Sequence, residues 1–285
     1  MQHISFIRIF CVVLITCWGT TNSARAQDFK IYTPLFDLSA PQSSPRAGQR
    51  TQPEIVGRSQ SYFHAGKAYD STEARQSDQQ VLIYEPNAQR FTILNTSRGM
   101  ATTISFEEIE KLVRASEEKA QEHVLRAREQ DVPQAAGIDM IQFQLQPSFK
   151  ETYDSNKRLL TLKSKFMNYE VQCATPDSAE RFEFYLKYCD WMARLNYLLH
   201  PQAPLPGPRL TLNGSLKKYG VMPVAVTLHA SIGNGINLKA EHKIYGQLEP
   251  LDRERIHQWQ TALESNEIQH VPFARFRDVQ LADRR

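Results

Sequence analysis

The sequence predicts an α+β fold: an antiparallel sheet, either a half-open β-barrel or a strongly curved sheet, covered by about three helices. Three observations predict it. Short runs of alternating apolar and polar residues are separated by hairpin-type turns. Three longer stretches place apolar residues at helical spacing. Strands and helices also follow one another without the strand-helix-strand rhythm of a parallel sheet.

The first 26 residues have the three-part layout of a secretory signal peptide: Arg8, an apolar stretch from Phe10 to Trp18, and the small-residue site Ala24-Arg25-Ala26. That stretch is well short of the roughly 20 apolar residues a membrane helix needs, so no transmembrane segment is expected in the mature chain. Leu14-Ile15-Thr16-Cys17 loosely matches a bacterial lipoprotein signal, in which Cys17 would be lipidated, although that site prefers Gly, Ala or Ser where Thr16 stands. The expectation is an exported protein, periplasmic or extracellular. Residues 27–58 are rich in Pro, Ser, Gln and Arg and read as a flexible leader, whose Phe29, Ile31, Tyr32, Leu35 and Phe36 could dock as an extended arm on a sheet edge. Residues 59–285 read as a single domain with a sub-division near 201–208.

Within that domain the run from Ser61 to Asp70 opens the strands, followed by Val81 to Tyr84, Arg90 to Asn95 and Ala101 to Ile104. Pro86 sits where a type I turn wants a fixed φ. Ser105 and Glu108 form a capping box for a helix whose Phe106, Ile109, Leu112 and Val113 share one side. Beyond Ser116 the apolar stripe thins, so the second half should project into solvent and end near Val132-Pro133. Strands are then expected from Ile138 to Gln146 and from Leu159 to Cys173, joined across Asp154-Ser155-Asn156-Lys157. A helix from about Ser178 to His200, opened by Asp177 with Glu180 three residues later, buries Phe182, Tyr185, Leu186, Cys189 and Met192, and prolines 201 to 208 stop it. The last third predicts strands Arg209 to Tyr219, Pro223 to Ala230 and Ile236 to Tyr245, the latter two closed by Gly233-Asn234-Gly235. Asp252 then caps a helix with Ile256, Trp259 and Leu263 inward, and the tail from Val271 adds an edge strand or frays.

Composition narrows the function classes. At 41% hydrophobic and 10% aromatic the chain can bury a sizeable core, which excludes wholesale disorder. Without Arg8 and Arg25 of the signal, 32 basic and 31 acidic residues remain, a balance that argues against nucleic acid as a partner. Of four cysteines, Cys173 and Cys189 stay in the exported chain, and in an oxidising compartment such an isolated pair reads first as a disulfide. Two buried thiols are the alternative.

Tyr62-Phe63-His64-Ala65-Gly66-Lys67, Val81-Leu82-Ile83-Tyr84-Glu85-Pro86, Phe91-Thr92-Ile93-Leu94 and Ile104-Ser105-Phe106-Glu107-Glu108 follow one another in an order that resembles the lipoprotein-localisation carriers. Gly220-Val221-Met222-Pro223-Val224-Ala225-Val226 is similar to a late strand of that fold after a glycine turn. The resemblance covers roughly residues 60 to 270 at the level of pattern. It implies an unclosed antiparallel barrel with helices as a lid over an apolar cavity. The charged helix after Ser105 and the inserted helix with Cys189 depart from the carriers.

Candidate chemistry is sparse. Ser215-Leu216-Lys217-Lys218 matches the Ser-x-x-Lys nucleophile motif, which needs Ser at a helix start; a strand would point Ser215 and Lys218 to opposite faces. Convergence of Ser215, a lysine and a carboxylate in one pocket is what a hydrolase would require. In a strand His64 and Asp70 share a face while Lys67 points away, which reads as a solvated or rim-lining polar set. His229 and His242 fall on neighbouring strands without a third ligand, so no metal and no cofactor are expected. Glu107, Glu108 and Glu110 suit the positive end of a helix dipole. The function expected is therefore non-enzymatic binding of an apolar or amphiphilic ligand, a lipid or lipoprotein, in a cavity lined by Phe63, Ile83, Phe91, Leu212 and Val226. The alternative is a structural or protein-interaction module of the cell envelope, its sheet interior filled by side chains.

Overall fold

The computed structural model describes residues 28–39, 54–74, 80–129, 136–200, 202–232 and 235–282. The signal segment with Cys17, residues 27 and 40–53 of the expected leader, Val132-Pro133, and Gly233-Asn234 of the last hairpin turn lie outside them. The class is α+β, with one large, mostly antiparallel sheet and six α-helices among the described residues.

The strands are β1 (Phe29–Asp37), β2 (Glu54–His64), β3 (Lys67–Ala74), β4 (Gln80–Glu85), β5 (Arg90–Asn95), β6 (Met100–Ser105), β7 (Lys150–Asp154), β8 (Leu159–Lys163), β9 (Met167–Ala174), β10 (Met222–Ala230), β11 (Ile236–Glu241), β12 (Lys243–Tyr245) and β13 (Gln269–His270). The helices are α1 (Phe106–Glu129), α2 (Ala136–Leu145), α3 (Ala179–Leu199), α4 (Gly207–Tyr219), α5 (Pro250–Glu264) and α6 (Phe273–Ala282). Across the sheet the order is β13-β6-β5-β4-β3-β2-β1-β11-β10-β9-β8-β7, with β12 also on β1. Among the described residues the only parallel pairing is β13 on β6, and no ladder there joins β13 or β6 to β7 to close the sheet.

Period-two alternation gives β2 to β6 two apolar faces. Phe63, Ala68, Tyr84, Phe91, Ile93 and Ile104 pack under α1 and α3, while Tyr62, Tyr69, Val81, Ile83, Leu94 and Ala101 pack under Ile256 and Trp259 of α5. α5 starts with a reciprocal capping box in which Glu249 is the cap and Asp252, the expected cap, is the third helical residue and accepts from the Glu249 N–H at 2.8 Å. α1 begins as expected, with Glu108 N–H donating to Ser105 Oγ at 3.1 Å. Its second half does not stand free: Val124 is fully buried and α2 packs on α1.

Six expectations need correction. Ser61 to Asp70 is a hairpin, turning at Ala65 and Gly66 (φ +50° and +73°), the left-handed pair that a type I′ turn demands. Ile138 to Gln146 and Arg209 to Tyr219 are helices α2 and α4 where strands were expected, and the tail after Val271 forms α6. Leu159 to Cys173 is two strands, broken where Ser164 Oγ accepts from the N–H groups of Phe166 and Met167. Most consequentially, Phe29–Asp37 is neither leader nor edge arm but a central strand between β2 and β11.

Pro34 explains how a proline is tolerated there. β1 pairs with β12 through Lys30–Tyr32 and with β11 through Leu35–Asp37, and Pro34 falls in the gap between them, where its missing N–H costs no ladder bond.

The expected disulfide is also absent: Cys173 and Cys189 are both free and buried. Cys189 neighbours Tyr185 and Arg209, and Arg209 neighbours Tyr169. Tyr169 precedes Cys173 by four residues on β9, about 13 Å along a strand. A disulfide spans Cα atoms only roughly 4.4–6.8 Å apart.

Candidate functional site

The five residues expected to line a cavity separate. Phe63, Phe91 and Leu212 are fully enclosed in the core under α1, α3 and α4. Ile83 lies on the opposite face, in the α5 core. Val226 alone of the five borders an apolar cleft, of about 260 Å³.

The cleft follows from strand register. Leu35, Ala240 and Val226 stand side by side across β1, β11 and β10, and Leu238, Leu228 and Tyr169 form the next row. Residues two apart on a strand share a face, so these rows make a continuous apolar floor. The roof is Ala193 and Asn196 of α3 together with the segment Pro204 to Arg209. Prolines suit such a wall, because a residue without an N–H leaves no donor unsatisfied against apolar surface. That segment is held by Leu205 N–H donating to Gln144 Oε1 at 2.8 Å.

A third row closes one end of the floor with polar groups. Thr33 and His242 face each other in the gap between β11 and β12, Thr33 Oγ1 lying 2.8 Å from His242 Nδ1. The ladder is irregular around this row. β10 shifts register between Pro223 and Ala225, β1 shifts against β2 between Leu35 and Phe36, and the His242 N–H crosses to Val224 O at 2.8 Å. Such bulges re-aim side chains. Here they turn His242 into the cleft.

Arg209 supplies the charge. It is surrounded by protein, retains partial exposure through the cleft, and among the described residues forms no ion pair. Its neighbours are the Cys189 thiol and the Tyr185 and Tyr169 phenols, which are neutral at pH 7 because burial pushes each of them up. Guanidinium groups do not deprotonate in proteins, so the cleft holds a cation without a counter-charge. Burial, with Arg209 adding repulsion, pushes His242 down to about 4, which makes the imidazole neutral at pH 7. Its Nε2 is buried and has no hydrogen-bond partner.

Two other clefts lack this feature. One of about 300 Å³ borders Ile83, but its Glu85 is already satisfied by Lys67, Arg90 and Thr92 at 2.7–3.0 Å. The other, about 250 Å³, contains Arg181, which bonds Asp177 and the carbonyls of Asp28 and Gly246.

Compared with the sequence profiles of known families and with curated proteins, the chain matches none.

The reactive motifs resolve into structural ties. Because α4 is a helix, Ser215 and Lys218 lie on one face and both reach Glu151 of β7, at 2.5 Å and 2.8 Å. A serine, a lysine and a carboxylate thus do meet, contrary to the strand-based expectation. Their chemistry does not activate the serine: the hydrogen bonds from Lys218 and Ser215 hold Glu151 at about 2, and Glu151 in turn raises Lys218. A carboxylate that acidic and an ammonium are both poor bases at pH 7. Ser215 is itself buried, mid-helix, and none of the three described clefts includes it. The trio fastens α4 to the outermost strand β7.

His64, Lys67 and Asp70 go to three different partners, not one site. His64 meets Asp28, Lys67 meets Glu85, and Asp70 turns to the other face to accept from Ser61 and Tyr188, each at 2.6 Å. His229 is exposed and pairs with Asn237, five positions from His242 along β11 and beyond. No group of three metal-ligating side chains occurs among the described residues.

Sequence reasoning missed Arg209 and His242 as a pair. A strand over 209–219 hides Arg209, and His242 beside His229 suggests only a metal ligand. The available signal was Gly207-Pro208, which marks a helix start and would have set Arg209 facing the preceding strands.

Proposed function

We propose that this chain is a non-enzymatic exported protein, periplasmic or of the cell envelope, that binds an apolar or amphiphilic ligand in the cleft beneath Pro204–Arg209. The observation that supports it most is the continuous apolar floor of Leu35, Ala240, Val226, Leu238 and Leu228, only partly covered by α3 and the segment Pro204–Arg209, with an open cleft between. An open volume of about 260 Å³ is near the lower bound for small-molecule sites.

A second reading has its own support. Phe63, Phe91 and Leu212, expected to surround a cavity, are packed solid. That is the interior of a structural or protein-interaction module.

Native mass spectrometry of the protein purified from its own host, followed by organic extraction, separates the two readings. A stoichiometric lipid or other amphiphile released on extraction supports ligand binding. A clean apo mass, together with failure to take up a fluorescent fatty-acid probe, overturns it in favour of the module.

A further inference from the structure

Resting on that reading of the cleft, we infer that its ligand is an anionic, single-chain amphiphile, whose carboxylate pairs with Arg209 and accepts a hydrogen bond from His242 while its tail lies over Leu228 and Val226. A guanidinium surrounded by protein is costly unless an anion pairs with it, and Arg209 has no ion-pair partner among the described residues. The protein supplies carboxylates freely elsewhere: Glu85, Asp28 and Glu151 each hold one or more cations. The cleft therefore leaves to the ligand what other sites receive from the chain.

His242 adds a second, independent observation. His242 Nε2 is buried without a partner, and in the tautomer the proposal requires the Thr33 hydroxyl donates to Nδ1, so that Nε2 carries the proton and is the free donor. Arg209 and His242 line the same cleft, near enough for the guanidinium to repel a proton on the imidazole, and an ionised carboxylate has acceptors for both. The apolar rows start one residue pair away, so the polar head and the tail are fixed in sequence along the floor. At roughly 30 Å³ per water-sized group, the cleft takes a chain of about nine heavy atoms. Decanoate is a matched probe.

The test is calorimetric titration of the purified, delipidated protein with decanoate, decanol and decyltrimethylammonium at pH 7.5. Decanoate is expected to bind at one site roughly 10- to 100-fold more tightly than decanol, the range for a hydrogen bond to a charged group, and the cationic analogue not at all. Arg209→Gln should bring decanoate down to the affinity of decanol while leaving decanol unchanged. In wild-type protein, NMR should show the His242 ring signals moving with decanoate and not with decanol, a readout that needs no variant to fold. Equal affinity for decanoate and decanol, or His242 signals indifferent to decanoate, overturns the assignment of the head group and leaves the cleft reading standing. No binding of any of the three overturns both. Ala240→Phe, which fills the floor, should abolish decanoate and decanol together; retained binding in that variant places the ligand elsewhere and overturns the inference.

Discussion

His242 links the cleft to pH. Its folded-state value of about 4 lies below the usual 6.5, so between those values the unfolded chain binds a proton that the folded chain refuses. Stability therefore rises with pH across that window and this contribution is fully present above pH 6.5. The expected outcome is that His242→Gln, able to keep a hydrogen bond to Thr33, flattens the wild-type gain between pH 4 and 6.5, measured by urea denaturation at half-unit steps. A variant that retains the full slope would show that the gain arises at other groups. At this scale the sequence was an incomplete guide. Residue identity says that histidine can titrate, but only the register Leu35 with Ala240 puts Thr33 opposite His242, and only α4 puts Arg209 above them.

Among the elements, α2 and α4 show where pattern reading fails and why. Leu210, Leu212, Gly214 and Leu216 alternate like a strand, yet Leu212 and Leu216 are also one helical turn apart, and both are fully buried. Short apolar runs satisfy both periods, so the decision passes to the ends. There Gly207-Pro208 opens the helix, and Gly220 at φ +62° closes it. Gly207 has a further duty: a Cβ there would come within 2.5 Å of Gln144 O, at the end of α2. Gly207→Ala should consequently destabilise the protein by about 1–3 kcal/mol despite alanine's better helix propensity, because the α2 carbonyl or the roof of the cleft must move. Thermal unfolding monitored by circular dichroism would show it as a lowered Tm. An unchanged or raised Tm would mean that the two backbones have slack. Strands β4 to β6, α1, α3 and α5 were readable because caps, periodicity and turn residues agreed.

On the scale of the whole molecule, β1 is the seam. It joins the β2–β6 half of the sheet to the half made by β7–β11, contributing Phe29 and Ile31 to the main core. Its neighbourhood in sequence, dense in proline and serine, disguised it, since tertiary pairing and not local composition makes it a strand. Removing residues up to Asp37 should abolish the single cooperative urea transition expected of the full chain, leaving two halves with exposed inner edges that self-associate. Size-exclusion chromatography with denaturation followed by tryptophan fluorescence would check this. A truncated chain that remains monomeric and unfolds in one step would remove β1 from its central role. The overall class was predictable, as was the antiparallel pairing, while sheet order was not, because a crossover from β1 to β11 leaves no local trace.

That crossover also sets a timetable. At ribosomal speeds of roughly 5–20 residues per second, β11 emerges some 10–40 seconds after β1. During that interval β1 can zip to β2 on one side, while its other backbone edge, with Leu35 and Tyr32 beside it, waits for Ile236–Tyr245. Until then the nascent chain carries an open template for any passing strand. The native state is thus reachable only after nearly all of the chain has been made, which favours holding it unpaired and letting it fold in one episode.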